Sequence, residues 1–184
     1  MPFFGFDIPE ITRKLFFAAF QKEDLEPEEP KELPLSTSSE IIKGYRWWRI
    51  QKISGKYRLV SVVYPVIWFP LKPMDDKQSL NSHYVESCYD GVQVDNHAGI
   101  HAFNNQNLLN YDENIETLGF YERHCITVVS GEVSLWGKVI CCELGYRAQF
   151  AYPSKIFIKD SPLIATSLIE ASLRNDYGIE VDIV

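Results

Sequence analysis

The sequence predicts an α+β protein: a curled, mainly antiparallel sheet or small barrel with an N-terminal helix and a C-terminal helix plus strand. Two observations predict the curled sheet. Over residues 130–158, apolar residues alternate with period two on both sides of a turn signal at Leu144-Gly145, which is typical of an antiparallel hairpin. Within the first strand Gly137 follows Trp136, and a glycine at such a place favours a bulge that bends the strand.

Length and composition favour one domain. The chain has 184 residues, of which 46% are hydrophobic and 14% aromatic, so it can bury one substantial core. A net charge of −7 argues against a surface that binds nucleic acid by bulk attraction. No signal-peptide pattern and no run of about 18 apolar residues is visible. We therefore expect a cytoplasmic protein without a membrane span.

The first 40 residues divide into a predicted helix and a linker. Asp7 can cap a helix whose first turn contains Pro9, and apolar residues at helical spacing, widened by phenylalanines, predict an amphipathic helix over 1–22. Residues 23–40 combine seven carboxylates with three prolines, which predicts an extended acidic linker. The β-rich core domain then covers 41–184.

Strand and turn signals organise the first part of this core. Ser54-Gly55 separates two alternating runs and predicts a hairpin with strands over 44–53 and 56–64. Residues 71–97 are polar and irregular, and a loop of that length is either functional or partly mobile. A further strand is expected at 99–103, followed by a short helix.

The end of the chain carries helix and strand signals in succession. Ser161-Pro162 reads as an N-cap followed by proline at the first helical position, and apolar residues keep helical spacing to about Asn175. Gly178 is the expected stop. The last six residues alternate apolar and acidic side chains, which predicts a strand that closes the sheet.

Three motifs carry a resemblance. They are GYRWWRI at Gly44–Ile50, GIHAF at Gly99–Phe103, and SLWGKV with GYRAQFAYP at Ser134–Pro153. They resemble motifs found in the same order in a scattered set of uncharacterised bacterial proteins. The resemblance implies kinship over Gly44–Pro153 and no function. His101 stands where those proteins usually have tyrosine, and the cysteines that many of them have just before this strand are missing.

A metal site is not expected. His83, Cys88, His97 and His101 lie within 19 residues, so a zinc site with nitrogen and sulfur ligands can be drawn. The spacing matches no compact zinc motif, and no Cys-x-x-Cys half-site is present to hold two ligands in place. We expect these histidines to be structural or exposed to solvent, and we expect neither a metal nor a cofactor.

The catalytic motifs with known spacing are missing from this sequence. It contains no P-loop, no GxGxxG, no GxSxG and no HExxH, which excludes only the enzymes that carry such motifs. An enzyme using His101, Glu143 or the loop at 71–97 stays open. Cys125 follows His124, but neighbours on a strand point to opposite faces, so the two do not form a nucleophile and base.

A basic and aromatic strand carries the strongest functional signal. Residues 43–58 contain six basic residues and no acidic one. Alternation places Trp47 with Arg49 on one face and Arg46 with Trp48 on the other, so one tryptophan is expected in the core and the other beside an arginine on an accessible face. An indole next to a guanidinium supplies stacking and anion recognition together. The candidate ligand-binding residues are Arg46, Trp47, Trp48, Arg49, His101 and Arg147.

These observations favour a binding module that recognises a nucleic acid, a nucleotide-like ligand or an anionic small molecule. Small curled barrels with basic and aromatic mouths include domains that bind RNA and modified bases, so this step is an analogy at the level of the fold. The alternative from another class is a protein-interaction subunit that docks through the phenylalanine-rich helix at 1–22. A structural interpretation also stands beside the binding one, namely an arginine stacked over a tryptophan at the edge of the core.

Overall fold

The computed structural model describes most of the predicted core. The described residues are 40–62, 66–76, 92, 99–111 and 124–184. The helix predicted over 1–22 and all but the last residue of the predicted linker lie outside them. In the described part of the chain, no helix is long and apolar enough to cross a membrane.

Eight strands of one sheet and one α-helix make up the described part of the chain, together with a short 3-10 helix at Gln106–Tyr111. The α-helix, α1, covers Thr166–Tyr177. The strands are β1 (Ile42–Ile53), β2 (Lys56–Ser61), β3 (Ile67–Trp68), β4 (Met74–Asp75), β5 (Ile100–Phe103), β6 (Cys125–Cys141), β7 (Gly145–Ile158) and β8 (Glu180–Ile183).

The two predicted hairpins are confirmed. β1 and β2 pair antiparallel around a two-residue turn in which Ser54 has a φ of 51° and Gly55 a φ of 81°. Positive φ at both central residues is the type I′ geometry, whose twist matches that of the flanking strands. β6 and β7 pair antiparallel along most of their length, and Cys142 exchanges backbone hydrogen bonds with Gly145 at their turn.

The sheet curls into a partial ring. β1 pairs with β6 along one edge and meets β5 at Tyr45 and Phe103 on the other. β5 pairs with β7, and β7 pairs with β6, which completes the circuit of four strands. β8 runs parallel to β7, so the sheet is mixed. The prediction of a curled, mainly antiparallel sheet is confirmed in this form, and the ring is partial rather than a complete barrel.

Two glycines permit the curl of β6. Gly137 has a φ of +78° and lies in a register shift between Trp136 and Val139, so the predicted bulge is confirmed. At Gly131 the two strands approach so closely that a Cβ atom would lie 2.1 Å from the carbonyl oxygen of Lys155. Only glycine fits there without a shift of the backbone.

Helix α1 begins four residues later than the sequence predicts. Ser161 accepts a hydrogen bond from the backbone of Leu163 at 3.3 Å and so stabilises a turn, and the helix starts at Thr166. The reason is packing, because the buried stripe of the helix begins at Thr166 and continues to Tyr177. The predicted stop is confirmed, since Gly178 is left-handed and donates to the carbonyl of Arg174 at 3.0 Å.

Buried side chains lie on both faces of β1. The main core contains Trp48 and Ile50 of β1 together with residues of β2, β6, β7 and helix α1. We call the face of β1 that carries these two residues the inner face. On the outer face a second, smaller cluster contains Trp47, Phe103 and Leu109, the last of these from the 3-10 helix.

Candidate functional site

The predicted site residues divide between the two faces of the sheet. Arg46 and Trp48 lie on the inner face of β1, and Trp47 and Arg49 lie on the outer face, as the alternation predicts. β1 meets β5 at Phe103, which belongs to the outer cluster with Trp47. The six candidates therefore do not form one site.

Neither tryptophan of β1 is accessible, so the expectation that one of them lies on an exposed face is wrong. Trp48 is 0% exposed and Trp47 is 8% exposed. The outer cluster covers Trp47, whose ring makes an edge-to-face contact with Phe103 at a centroid distance of 5.3 Å. The sequence of β1 contains no sign of this cover, because Phe103 and the 3-10 helix come from a distant part of the chain.

His101 and Arg147 are neighbours across β5 and β7. Since His101 lies two residues from Phe103 on the same strand, alternation places this pair on the outer face of the sheet. Arg147 is 5% exposed and His101 is half-buried. Arg49 is also buried on the outer face, where its Nη2 donates to the backbone carbonyl of Ser61 at 2.8 Å.

On the inner face the guanidinium of Arg46 lies against two indoles. Its Cζ atom is 4.7 Å from the ring centroid of Trp68 and 5.4 Å from that of Trp48. The two indoles are nearly perpendicular, at 85°, so they form a corner that holds the cation. Its Nη2 donates to Ser61 Oγ at 3.4 Å, which is long for a hydrogen bond.

Arg46 has no carboxylate partner among the described residues. Its Nε is enclosed and has no hydrogen-bond partner within the same part of the chain, although the residue as a whole is only half-buried. Burial lowers the pKa of Arg46 to about 9, so the guanidinium is still charged at neutral pH.

The polar atoms around Arg46 are mostly hydrogen-bond donors. Trp48 Nε1 is buried and has no partner among the described residues. Ser61 Oγ accepts from Trp68 Nε1 at 2.8 Å and from Arg46, and its own proton has no acceptor in the described part of the chain. We call the group formed by Arg46, Trp48, Ser61 and Trp68 the Arg46 site.

Helix α1 fixes one wall of this site. The hydroxyl of Tyr177 donates to the carbonyl of Trp68 at 2.6 Å and accepts from the backbone N–H of Leu59 at 3.0 Å. Burial, the largest cause, raises the pKa of Tyr177 to about 12. Trp68 is thus held through its carbonyl by the helix and through its indole by Ser61.

Sequence reasoning missed Ser61, Trp68 and Tyr177. Ser61 is a small hydroxyl residue at the end of an apolar strand, and Trp68 belongs to a short apolar piece between prolines. Neither feature by itself indicates a site. Their role depends on the pairing of β3 with β2 and on the position of helix α1, which no local pattern specifies.

The metal ligands considered from the sequence fall mainly outside the described residues, which include His101 but not His83, Cys88 or His97. The described residues contain no group of three or more histidine, cysteine or acidic side chains placed to hold a metal ion. Comparison with protein-family models, with curated proteins and with solved structures finds no match to this chain.

Proposed function

We propose that the protein is a binding module for an anionic small molecule, which it holds at the Arg46 site. The observation that supports this proposal is a buried guanidinium without a carboxylate among the described residues. An uncompensated charge in the protein interior is costly, so it is rarely kept without a role. An anion next to Arg46 would supply the missing charge and accept from the donors that surround it.

The burial of the tryptophans favours a small molecule over a nucleic acid. Single-stranded nucleic acids stack their bases on accessible aromatic faces and follow a basic groove. Trp48 is 0% exposed and Trp68 is 2% exposed, and the outer face of β1 is covered by its own apolar cluster. A compact anion needs only the edge of one guanidinium and a few donors.

Protein docking through the phenylalanine-rich segment at 1–22 remains a prediction from the sequence, because that segment lies outside the described residues. The histidine at 101 and the arginine at 147 were candidates for the same ligand. They lie on the outer face, so the proposed site does not include them.

Titration of the purified protein with small anions tests the proposal. Sulfate, acetate and adenosine monophosphate are the small probes, and single-stranded oligothymidylate is the nucleic-acid probe. We expect saturable quenching or enhancement of tryptophan fluorescence by at least one small anion, because Arg46 contacts two indoles. Native mass spectrometry of the freshly purified protein would show whether a small molecule is retained.

Two variants make the test specific. Arg46→Gln should abolish the response, since it removes the charge and keeps a polar side chain. Lys52→Gln is the matched control, because Lys52 of β1 also holds its charge over an aromatic ring, that of Tyr57 on β2 at 5.7 Å, yet is exposed. Retained binding in Arg46→Gln, or tight binding of the oligonucleotide alone, would contradict the proposal.

A further inference from the structure

We infer that the Arg46 site selects an oxyanion that carries no proton, such as a carboxylate or a sulfate group. This inference rests on the proposed function and concerns the chemical class of its ligand. It follows from the numbers of hydrogen-bond donors and acceptors around the guanidinium. The positive charge alone would attract any anion, whereas these donors and acceptors distinguish one anion from another.

Three donors of the site are available to a ligand. Arg46 Nε–H and Trp48 Nε1–H are buried and have no acceptor among the described residues. The oxygen of Ser61 receives two donors, which leaves its hydroxyl proton to donate. An arginine presents Nε–H and one Nη–H side by side, in a geometry that fits two oxygens of one carboxylate, sulfate or phosphate group. The indole N–H of Trp48 and the hydroxyl of Ser61 are neutral donors on residues that contact the same guanidinium.

The one side-chain acceptor of the Arg46 site, Ser61 Oγ, already receives two donors. Ser61 Oγ has two lone pairs, and these receive the indole of Trp68 and Nη2 of Arg46. The neighbouring backbone carbonyls of Ser61 and Trp68 each accept one hydrogen bond as well, from Arg49 and from Tyr177. Among the described residues, a P–OH or COOH group turned toward these side chains would therefore meet donors and lose a hydrogen bond that it makes in water.

The preferred ligand class follows from this arrangement. Carboxylates, sulfate groups and fully ionised phosphate esters offer acceptors only. Inorganic phosphate keeps at least one O–H proton near neutral pH, and a carboxylic acid that is not ionised also carries an O–H donor. We therefore expect the site to discriminate between sulfate and inorganic phosphate, two tetrahedral ions of similar size.

Competition between these ions tests the inference on the full chain. At neutral pH and matched ionic strength, sulfate should bind at least about tenfold more tightly than inorganic phosphate, the cost of one unsatisfied hydrogen bond to a charged group. The affinity for sulfate should stay constant from mildly acidic to mildly alkaline pH, whereas that for phosphate should fall as the pH falls. An acetate titration in parallel shows whether a planar carboxylate is preferred to a tetrahedral ion.

Nuclear magnetic resonance supplies a second reading in the unmodified protein. The chain has four tryptophans and hence four indole N–H resonances. On addition of sulfate, the indole resonance of Trp48 and the Nε–H resonance of Arg46 should move downfield as they gain an acceptor. Trp68 is the internal control, because its indole is already bonded to Ser61 at 2.8 Å.

The outcomes separate the two proposals. The inference is overturned if phosphate and sulfate bind with equal affinity, or if the indole resonance of Trp48 does not move. In either case, anion binding that depends on Arg46 still supports the proposed function. Absence of binding by every small anion overturns both. Trp48→Phe keeps an aromatic ring and removes the N–H donor, so it should lower the affinity for sulfate about tenfold. If this variant fails to fold, the indole and Nε–H resonances of the unmodified protein still test the inference.

Discussion

The backbone carbonyl and the indole of Trp68 lie in two regions that differ in how many of their polar groups have hydrogen-bond partners. At its carbonyl, the Tyr177 hydroxyl both donates and accepts, and the Tyr152 hydroxyl likewise donates to the Tyr177 carbonyl at 2.9 Å and accepts from Leu71 at 2.8 Å. At its indole lies the Arg46 site, where several donors have no acceptor among the described residues. We call the first group, Tyr177 and Tyr152 with their backbone partners, the Tyr177 network.

The difference separates stability from binding. A fully satisfied buried network strengthens the fold and specifies one arrangement of the chain, whereas a buried charge without a counter-charge weakens the fold. The Tyr177 network joins helix α1 to β2 and β3, and an ion pair between Arg58 and Asp176 at 2.8 Å supports the same junction. Trp68 belongs to both groups, so the stable junction positions one wall of the proposed site.

The largest effect should come from Tyr177→Phe. The change removes one oxygen and leaves the buried N–H of Leu59 and the carbonyl of Trp68 without their partner. We expect a loss of about 3–4 kcal/mol in the free energy of unfolding, because each unsatisfied buried group costs about 1–3 kcal/mol.

Urea denaturation would measure this loss. The matched control is Tyr57→Phe, since no hydrogen bond of the Tyr57 hydroxyl is found among the described residues, and its change should stay within about 0.5 kcal/mol. Equal stability of the two variants would show that the Tyr177 network does not stabilise the fold.

Alkaline pH should weaken the same network. The folded pKa of Tyr177 is raised from 10.0 to about 12, so its contribution is complete below about pH 10 and is lost as the pH rises through about 12. A shift of this size corresponds to roughly 2–3 kcal/mol. Unfolding measured across this range should show the unmodified protein losing its stability advantage over Tyr177→Phe. A constant difference between the two would contradict the assignment.

Arg46→Met should increase the stability of the protein, in contrast to Tyr177→Phe. Arg46 has an enclosed Nε and no carboxylate partner within the described ranges, so replacing it by an apolar side chain of similar length should raise the stability of the ligand-free protein by about 1–2 kcal/mol, even though the contacts with two indoles are lost. The melting temperature would report this gain, and Lys52→Met should leave it nearly unchanged. A large loss in Arg46→Met would indicate that Arg46 is a structural residue.

The smallest effect should come from Tyr152→Phe. Its hydroxyl donates to the carbonyl of Tyr177 and accepts from the backbone of Leu71, which is exposed, so water can replace part of what is lost. We expect a loss of about 1 kcal/mol in the free energy of unfolding. A loss as large as that of Tyr177→Phe would mean that the two hydroxyls act as one unit, which a double variant would test.

Local patterns predicted the hairpins because their causes are local. Ser54-Gly55 specifies its turn through positive φ, and Gly137 specifies its bulge in the same way. The start of helix α1 was predicted wrongly because its cause is not local. Ser161 and Pro162 form a good local start signal, but packing begins the helix at Thr166. The parallel pairing of β8 with β7 could not be predicted from the alternation of its side chains alone.

By itself, the sequence determined the curled, mainly antiparallel core and the presence of a basic and aromatic strand. It also determined which side chains of β1 lie on each face. Only the tertiary structure decided which arginine lies between two indoles and has no carboxylate partner in the described part of the chain. Ser61 and Trp68 reach Arg46 through strand pairing, and Tyr177 reaches Leu59 and Trp68 across more than a hundred residues of chain. Alternation and turn chemistry act between neighbours in the sequence, whereas burial and hydrogen-bond satisfaction depend on what the completed fold brings together.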